Sequence, residues 1–129
     1  MCQMMPIQTN CGSTVMVADI KKACIENIMK AALACDKIDA IYLFGSALEH
    51  RCKDESDIDI AIISNISRAK LFRNKSYDSF VSTLYSKDNS QDYDILQFDS
   101  REKLVACSEI YNEIKNKGCL IYKRDSYYV

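Results

Sequence analysis

Between Val17 and Cys35, apolar residues recur at Ile20, Cys24, Ile25, Ile28, Ala31, Ala32 and Cys35. That spacing draws one stripe on a helix and predicts the first helical element. The rhythm changes at Ile38. From there to Phe44 runs a short apolar stretch rich in Ile and Tyr, cut by Gly45-Ser46, which reads as a strand covered on both faces. After a polar segment from Glu49 to Ser56, the run Asp57 to Ile63 alternates, with Ile58, Ile60 and Ile62 facing one way and Asp57 and Asp59 the other. Ser64 to Lys75 has no decisive pattern. Ser76 to Lys87 shows a helical stripe in Tyr77, Phe80, Val81, Leu84 and Tyr85, and Tyr93 to Phe98 is a third strand. Asp99 followed by Glu102 has the form of a capping box, opening a helix through Leu104, Cys107, Tyr111 and Ile114 that Gly118 stops. Lys115 and Lys117 fall in its last turn, where cations favour the helix dipole, and Cys119 to Tyr122 makes a short final strand. Residues 1–16 carry no such pattern and read as a flexible leader ahead of a single domain over 17–129.

The chain has 129 residues, about one domain's worth. Apolar residues make up 48% and charged residues 27%, which fits neither a disordered tail nor a membrane protein. With 17 basic and 18 acidic side chains the net charge is -1, which argues against a general electrostatic grip on nucleic acid and favours a small ligand or a protein partner. The seven cysteines are odd in number and none forms a C-x-x-C pair, so reduced thiols and a cytoplasmic setting are expected. Cys24, Cys35 and Cys107 lie within apolar helical patterns, where a thiol acts as a small hydrophobe. The first basic residue is Lys21, and no apolar stretch approaches the roughly 18 residues of a spanning helix, so no signal peptide or membrane anchor is expected.

Chemistry concentrates at Gly45-Ser46, ten residues, then Asp57-x-Asp59. Aspartates at i and i+2 of a strand stand about 6.6 Å apart at their backbones and point the same way. Their carboxylates can share hard, oxygen-seeking cations, and two such ions about 3.5 to 4 Å apart are a recurrent arrangement for in-line displacement at phosphorus. Glycine at the end of an apolar strand lets backbone approach a ligand closely, while the serine hydroxyl and adjacent N–H groups can hold phosphate oxygens. A third carboxylate is needed to ligate the metal or to act as base. Asp94 fits that role, because it interrupts a pattern that is apolar on both sides, whereas Asp92 and Asp99 sit at element ends.

The run from Gly45-Ser46 through Ser56-Asp57-Ile58-Asp59 resembles the G-S-x10-D-x-D signature of the DNA polymerase beta-like nucleotidyltransferase superfamily, specifically its minimal nucleotidyltransferases. The Leu-Phe run before the glycine, the later strand with one Asp, and the closing helix followed by Gly118-Cys119-Leu120-Ile121-Tyr122 extend the resemblance from about Ile20 to Arg124. It implies an α+β (α/β) fold, a small mixed β-sheet packed against helices. It also implies a two-metal Mg²⁺ site on Asp57, Asp59 and Asp94, with a nucleoside triphosphate, expected to be ATP, bound near Gly45, Ser46 and Ser56. The implied reaction is transfer of a nucleoside monophosphate, AMP from ATP, to a hydroxyl on a protein or RNA acceptor, with nucleic acid expected only as an acceptor. Many family members silence a neighbouring HEPN-type toxin, so the resemblance also implies a HEPN partner and an antitoxin role.

The sequence departs from the family where relatives often read G-S-x-A-x-G with a basic residue before the second glycine. Here Leu48, Glu49 and His50 occupy those positions, leaving Arg51 to compensate as the cation that meets triphosphate. His50, the sole histidine, reads as a surface loop residue. Arg68, Lys70, Arg73 and Lys75 form a basic stretch that reads as a solvated face. The alternative to catalysis is a non-catalytic antitoxin or binding module that keeps the fold and blocks its partner by contact, and Glu49 and His50 are its best support.

Overall fold

In a computed structural model, which describes residues 1–124, the chain runs β1 (Met4–Gln8), β2 (Thr14–Ala18), α1 (Lys22–Ala32), β3 (Ile38–Phe44), β4 (Ile58–Ser64), α2 (Arg68–Leu71), α3 (Lys75–Lys87), β5 (Tyr93–Phe98), α4 (Arg101–Ala106), α5 (Ser108–Lys117) and β6 (Cys119–Lys123). Single 3₁₀ turns cover Asp19–Lys21 and Gly45–Leu48. Four of the strands form one mixed sheet in the order β5-β4-β3-β6. β3 pairs antiparallel with both β4 and β6, and β4 pairs parallel with β5 after a crossover through α2 and α3.

The Ile-rich composition of β3 and β4 suits a sheet centre, because β-branched side chains pack well on a pleated surface covered on both sides. Successive residues divide between two cores. Ile41, Leu43, Ile58, Ile60 and Ile62 pack with Ile25 and Ile28 of α1 and with Phe80 and Leu84 of α3. Ala40, Tyr42, Phe44, Ala61 and Ile63 pack with Leu104 of α4 and Ile114 of α5. The sheet is thus a middle layer with a helix pair on each face, the α+β arrangement expected from the sequence. None of the helices among the described residues is long and apolar enough to cross a membrane.

Residues 1–16 are not a loose leader. β1 and β2 pair as a hairpin in register from Met4 opposite Ala18 to Gln8 opposite Thr14, and Ile7 and Val17 are buried against α1. Its turn is tied to β6, where the Asn10 side chain donates to the Lys123 carbonyl at 2.8 Å and accepts from the Lys123 N–H at 2.9 Å. The Cys2 N–H donates to the His50 carbonyl at 3.1 Å, fastening the other end to the loop after β3. Only one face of this short hairpin is covered, yet Met16 on the other is also apolar, which hides the alternation of a half-covered strand. The first helix accordingly starts at Lys22 and not near Val17, which belongs to β2.

The expected single helix after Asp99 is two. Ser100, not Asp99, caps α4 by accepting from the Lys103 N–H, while Asp99 pairs with Lys103 through an ion pair at 2.8 Å. The helix breaks at Cys107, whose backbone (φ -84°, ψ 76°) is not helical. Cys107 is consequently exposed, contrary to its reading as a small core hydrophobe, whereas Cys24 and Cys35 are buried as expected. Gly118 ends α5 in close packing, since a Cβ there would stand 2.8 Å from Ile114 Cα and 2.9 Å from the Leu43 carbonyl.

Because Ile7 is a fully packed core residue, Ile7→Ala is expected to lower unfolding free energy by about 2–4 kcal/mol in urea titrations. A detached leader would leave the midpoint unmoved.

Candidate active site

At the end of β3 the chain turns on Gly45, whose φ of +80° lies in the left-handed region that glycine alone adopts without strain. Phe44, just before it, is paired with Asp59 of β4, and Asp59 is in turn paired with Asp94 of β5. One rung of the sheet therefore carries Phe44, Asp59 and Asp94, with their side chains on a common face about 4.8 Å apart from strand to strand. By alternation that is the face of Ala61 and Ile63, toward α5. A Cβ on Gly45 would collide with the Asp59 carboxylate, so glycine is demanded both by the turn and by what lies against it.

Asp59 is half-buried, and its carboxyl is pushed up from the ordinary 3.8 to about 6. Burial is the largest cause, followed by the negative charges of Asp94, Asp57 and Glu113. The other two aspartates singled out in the sequence thus both act on Asp59. Asp57 lies one residue ahead of β4, which begins at Ile58, so the pair is not carried wholly on the strand as the alternation predicted. Asp94 is exposed because β5 is an edge strand, and it does not interrupt a fully buried pattern. Beside it an open groove of about 750 Å³ is lined by Phe72, Tyr77, Tyr85, Tyr93 and Gln97.

The remaining sequence candidates fall around this rung with different partners. Ser46 sits in the 3₁₀ turn after Gly45, with the Cys52 thiol 4.0 Å from its hydroxyl. Ser56 closes the loop before Asp57, its hydroxyl accepting from the Lys53 N–H at 3.1 Å. Arg51 is turned back on Glu49 in an exposed ion pair at 3.5 Å. The acid at the family's basic position and the cation expected to replace it are therefore in contact. His50 is exposed, as is the basic stretch Arg68, Lys70, Arg73 and Lys75.

The donor set suits a hard divalent cation, being all carboxylate oxygen. Among the described residues no three His, Cys, Asp or Glu side chains are gathered closely enough to form a finished chelate. Asp57, Asp59 and Asp94 fit such an ion by donor type, and Asp59, raised first by burial and then by its acidic neighbours, is a carboxyl whose charge a cation would favour.

Residues 25–127 match the family described as polymerase beta, nucleotidyltransferase. The chain belongs to that family. No curated protein matches it in sequence. Two crystal structures share the polymerase beta nucleotidyltransferase fold with it. One is a mutant of the toxin-antitoxin MntA-HpeT, at 18% identity and a TM-score of 0.51, and the other a toxin-antitoxin with AMP-PNP, at 20% and 0.52. Each match covers 78% of this chain and 74% of the other.

For this nucleotidyltransferase, sequence reading missed Glu113, the third charge acting on Asp59. Its only signal is its position next to Ile114 on the inward stripe of α5. Lys21 and Gln91, which hold the loop ahead of Asp57, were also missed.

Two outcomes follow from this geometry. Gly45→Ala is expected to destabilise by about 2 kcal/mol through left-handed strain and to cost far more in function by displacing Asp59, as read by calorimetry and nucleotide binding. A carboxyl whose folded pKa is raised loses stability as pH rises through the window from 3.8 to about 6. In EDTA, Asp59→Asn should therefore melt higher than the unsubstituted protein at pH 7, and this advantage should shrink as the pH falls toward 4.

Proposed function

We propose that this chain transfers AMP from ATP to a hydroxyl group on a protein partner, using Mg²⁺ held by Asp57, Asp59 and Asp94. The observation that carries this reading is the rung that sets Asp59 against both Gly45 and Asp94. Family membership supports the reaction class. The relative crystallised with AMP-PNP supports an adenine nucleotide, and both relatives being toxin-antitoxin assemblies supports a role as the antitoxin of a pair. We take the partner to be a HEPN-type toxin, as the minimal nucleotidyltransferase resemblance implies. Seven free thiols support a reducing, cytoplasmic setting.

In this mechanism the left-handed turn at Gly45 brings backbone close to the triphosphate, and the Ser46 hydroxyl donates to a phosphate oxygen. Asp57 and Asp59 stand on the same side as that turn, the Asp59 carboxylate directly against Gly45, and their combined negative charge would hold the cations there. Held by Asp57, Asp59 and Asp94, Mg²⁺ would supply charge neutralisation for the phosphates during the transfer. The acceptor hydroxyl approaches from the sheet edge, where Asp94 is exposed on the last strand. As the new oxygen–phosphorus bond forms and the bond to pyrophosphate breaks, Asp94 takes the hydroxyl proton. The protein's contribution is positioning and charge placement.

The second reading, a module that inhibits by contact, is favoured by one observation: Arg51 is engaged by Glu49. Incubation of the copurified partner with labelled ATP and Mg²⁺ separates the two. Label is expected on the partner, and Asp57→Asn with Asp59→Asn should reduce it by at least a hundredfold while leaving the complex intact on gel filtration. A wild-type complex that never takes label supports the contact reading.

A further inference from the structure

Lys21 is only 1% exposed, among the most buried large side chains of the protein. A lysine in that position is costly unless every proton of its ammonium is satisfied. Three acceptors meet it: the Asp54 carbonyl at 2.9 Å, the Ser56 carbonyl at 2.7 Å and the Gln91 side-chain oxygen at 2.6 Å. All three are neutral. Lys21 stands at the start of α1, where a cation also opposes the helix dipole, so neither an ion pair nor the helix explains its retention.

The acceptors explain it. Asp54 and Ser56 belong to the loop that delivers Asp57, and Gln91 belongs to the segment that delivers Asp94. Gln91 extends the link by donating to the Ser56 carbonyl at 3.0 Å and the Asp92 carbonyl at 2.6 Å. The Asp92 carbonyl also accepts from the Ile58 N–H at 3.1 Å, where β4 begins alongside β5. The link from Lys21 to both acid-bearing segments runs through these hydrogen bonds.

We infer that Lys21 is a positioning residue: with Gln91 it clamps together the entrances to β4 and β5 and so sets Asp57 and Asp94 against each other for cation binding. This rests on the proposed function for its consequence in catalysis, but the clamp itself is measurable without turnover. In Lys21→Met, amides over 53–58 and 91–94 should exchange with deuterium at least tenfold faster, while those of β3 keep their protection. Mn²⁺ affinity, read by electron paramagnetic resonance, should fall about 10- to 100-fold. In AMP transfer kcat should fall with KM for ATP held within about threefold. Gln91→Leu should reproduce these changes, and the double variant should be no worse than either alone, because both remove one linkage.

Unchanged exchange over those segments, unchanged Mn²⁺ affinity, or additive losses in the double variant would overturn the clamp. If Lys21→Met does not fold, Gln91→Leu decides by the same readouts. Should the wild type transfer no AMP at all, the functional reading fails and the exchange and Mn²⁺ results still judge the clamp.

Discussion

Asp59 and Asp94 are like charges paired on one rung of adjacent parallel strands, and the partial burial of Asp59 keeps water from screening them fully. Everything else at this end of the molecule accommodates that repulsion. Asp57 and Glu113 add to it. A fold selected for stability alone would not gather acids here. The arrangement makes sense as one half of an ionic site, completed when a divalent cation and the phosphates of a nucleotide enter together.

The scaffold is organised to hold that tension. Ile60 and Ile62 of β4 are packed on one face and Ala61 and Ile63 on the other, so the strand bearing Asp59 is pinned from both sides. Gly45 opens space for the carboxylate at the end of the neighbouring strand. On the far side of the loop before Asp57, a buried lysine ties the two acid-bearing segments by hydrogen bonds to neutral oxygens, giving rigidity without cancelling the charge. The edge position of β5 leaves the third carboxylate open to a large partner.

Much of this was legible in the sequence, and for local reasons. Ile38–Phe44 and Tyr93–Phe98 are apolar runs bounded by turn or polar residues, and they emerge as strands with those limits. The Gly45-Ser46 to Asp57-x-Asp59 spacing marked the site because strand ends and period-two alternation are written within a few residues. What was not legible depends on distant contacts. The N-terminal hairpin buries Ile7 and Val17 but exposes Met16, so apolar residues on both faces erase the period-two signal. The break at Cys107 follows from how α4 and α5 each meet the sheet. The partnership of Lys21 and Gln91 spans 70 positions and leaves no periodic trace.

The most direct test of the account is uptake of Mn²⁺ in the presence of a non-hydrolysable ATP analogue, followed by the loss of the free-ion resonance signal. The account predicts saturable uptake that Asp59→Asn reduces by at least tenfold, with Asp57→Asn and Asp94→Asn each weakening it. Uptake that is absent from the wild type, or indifferent to the loss of Asp59, would contradict it.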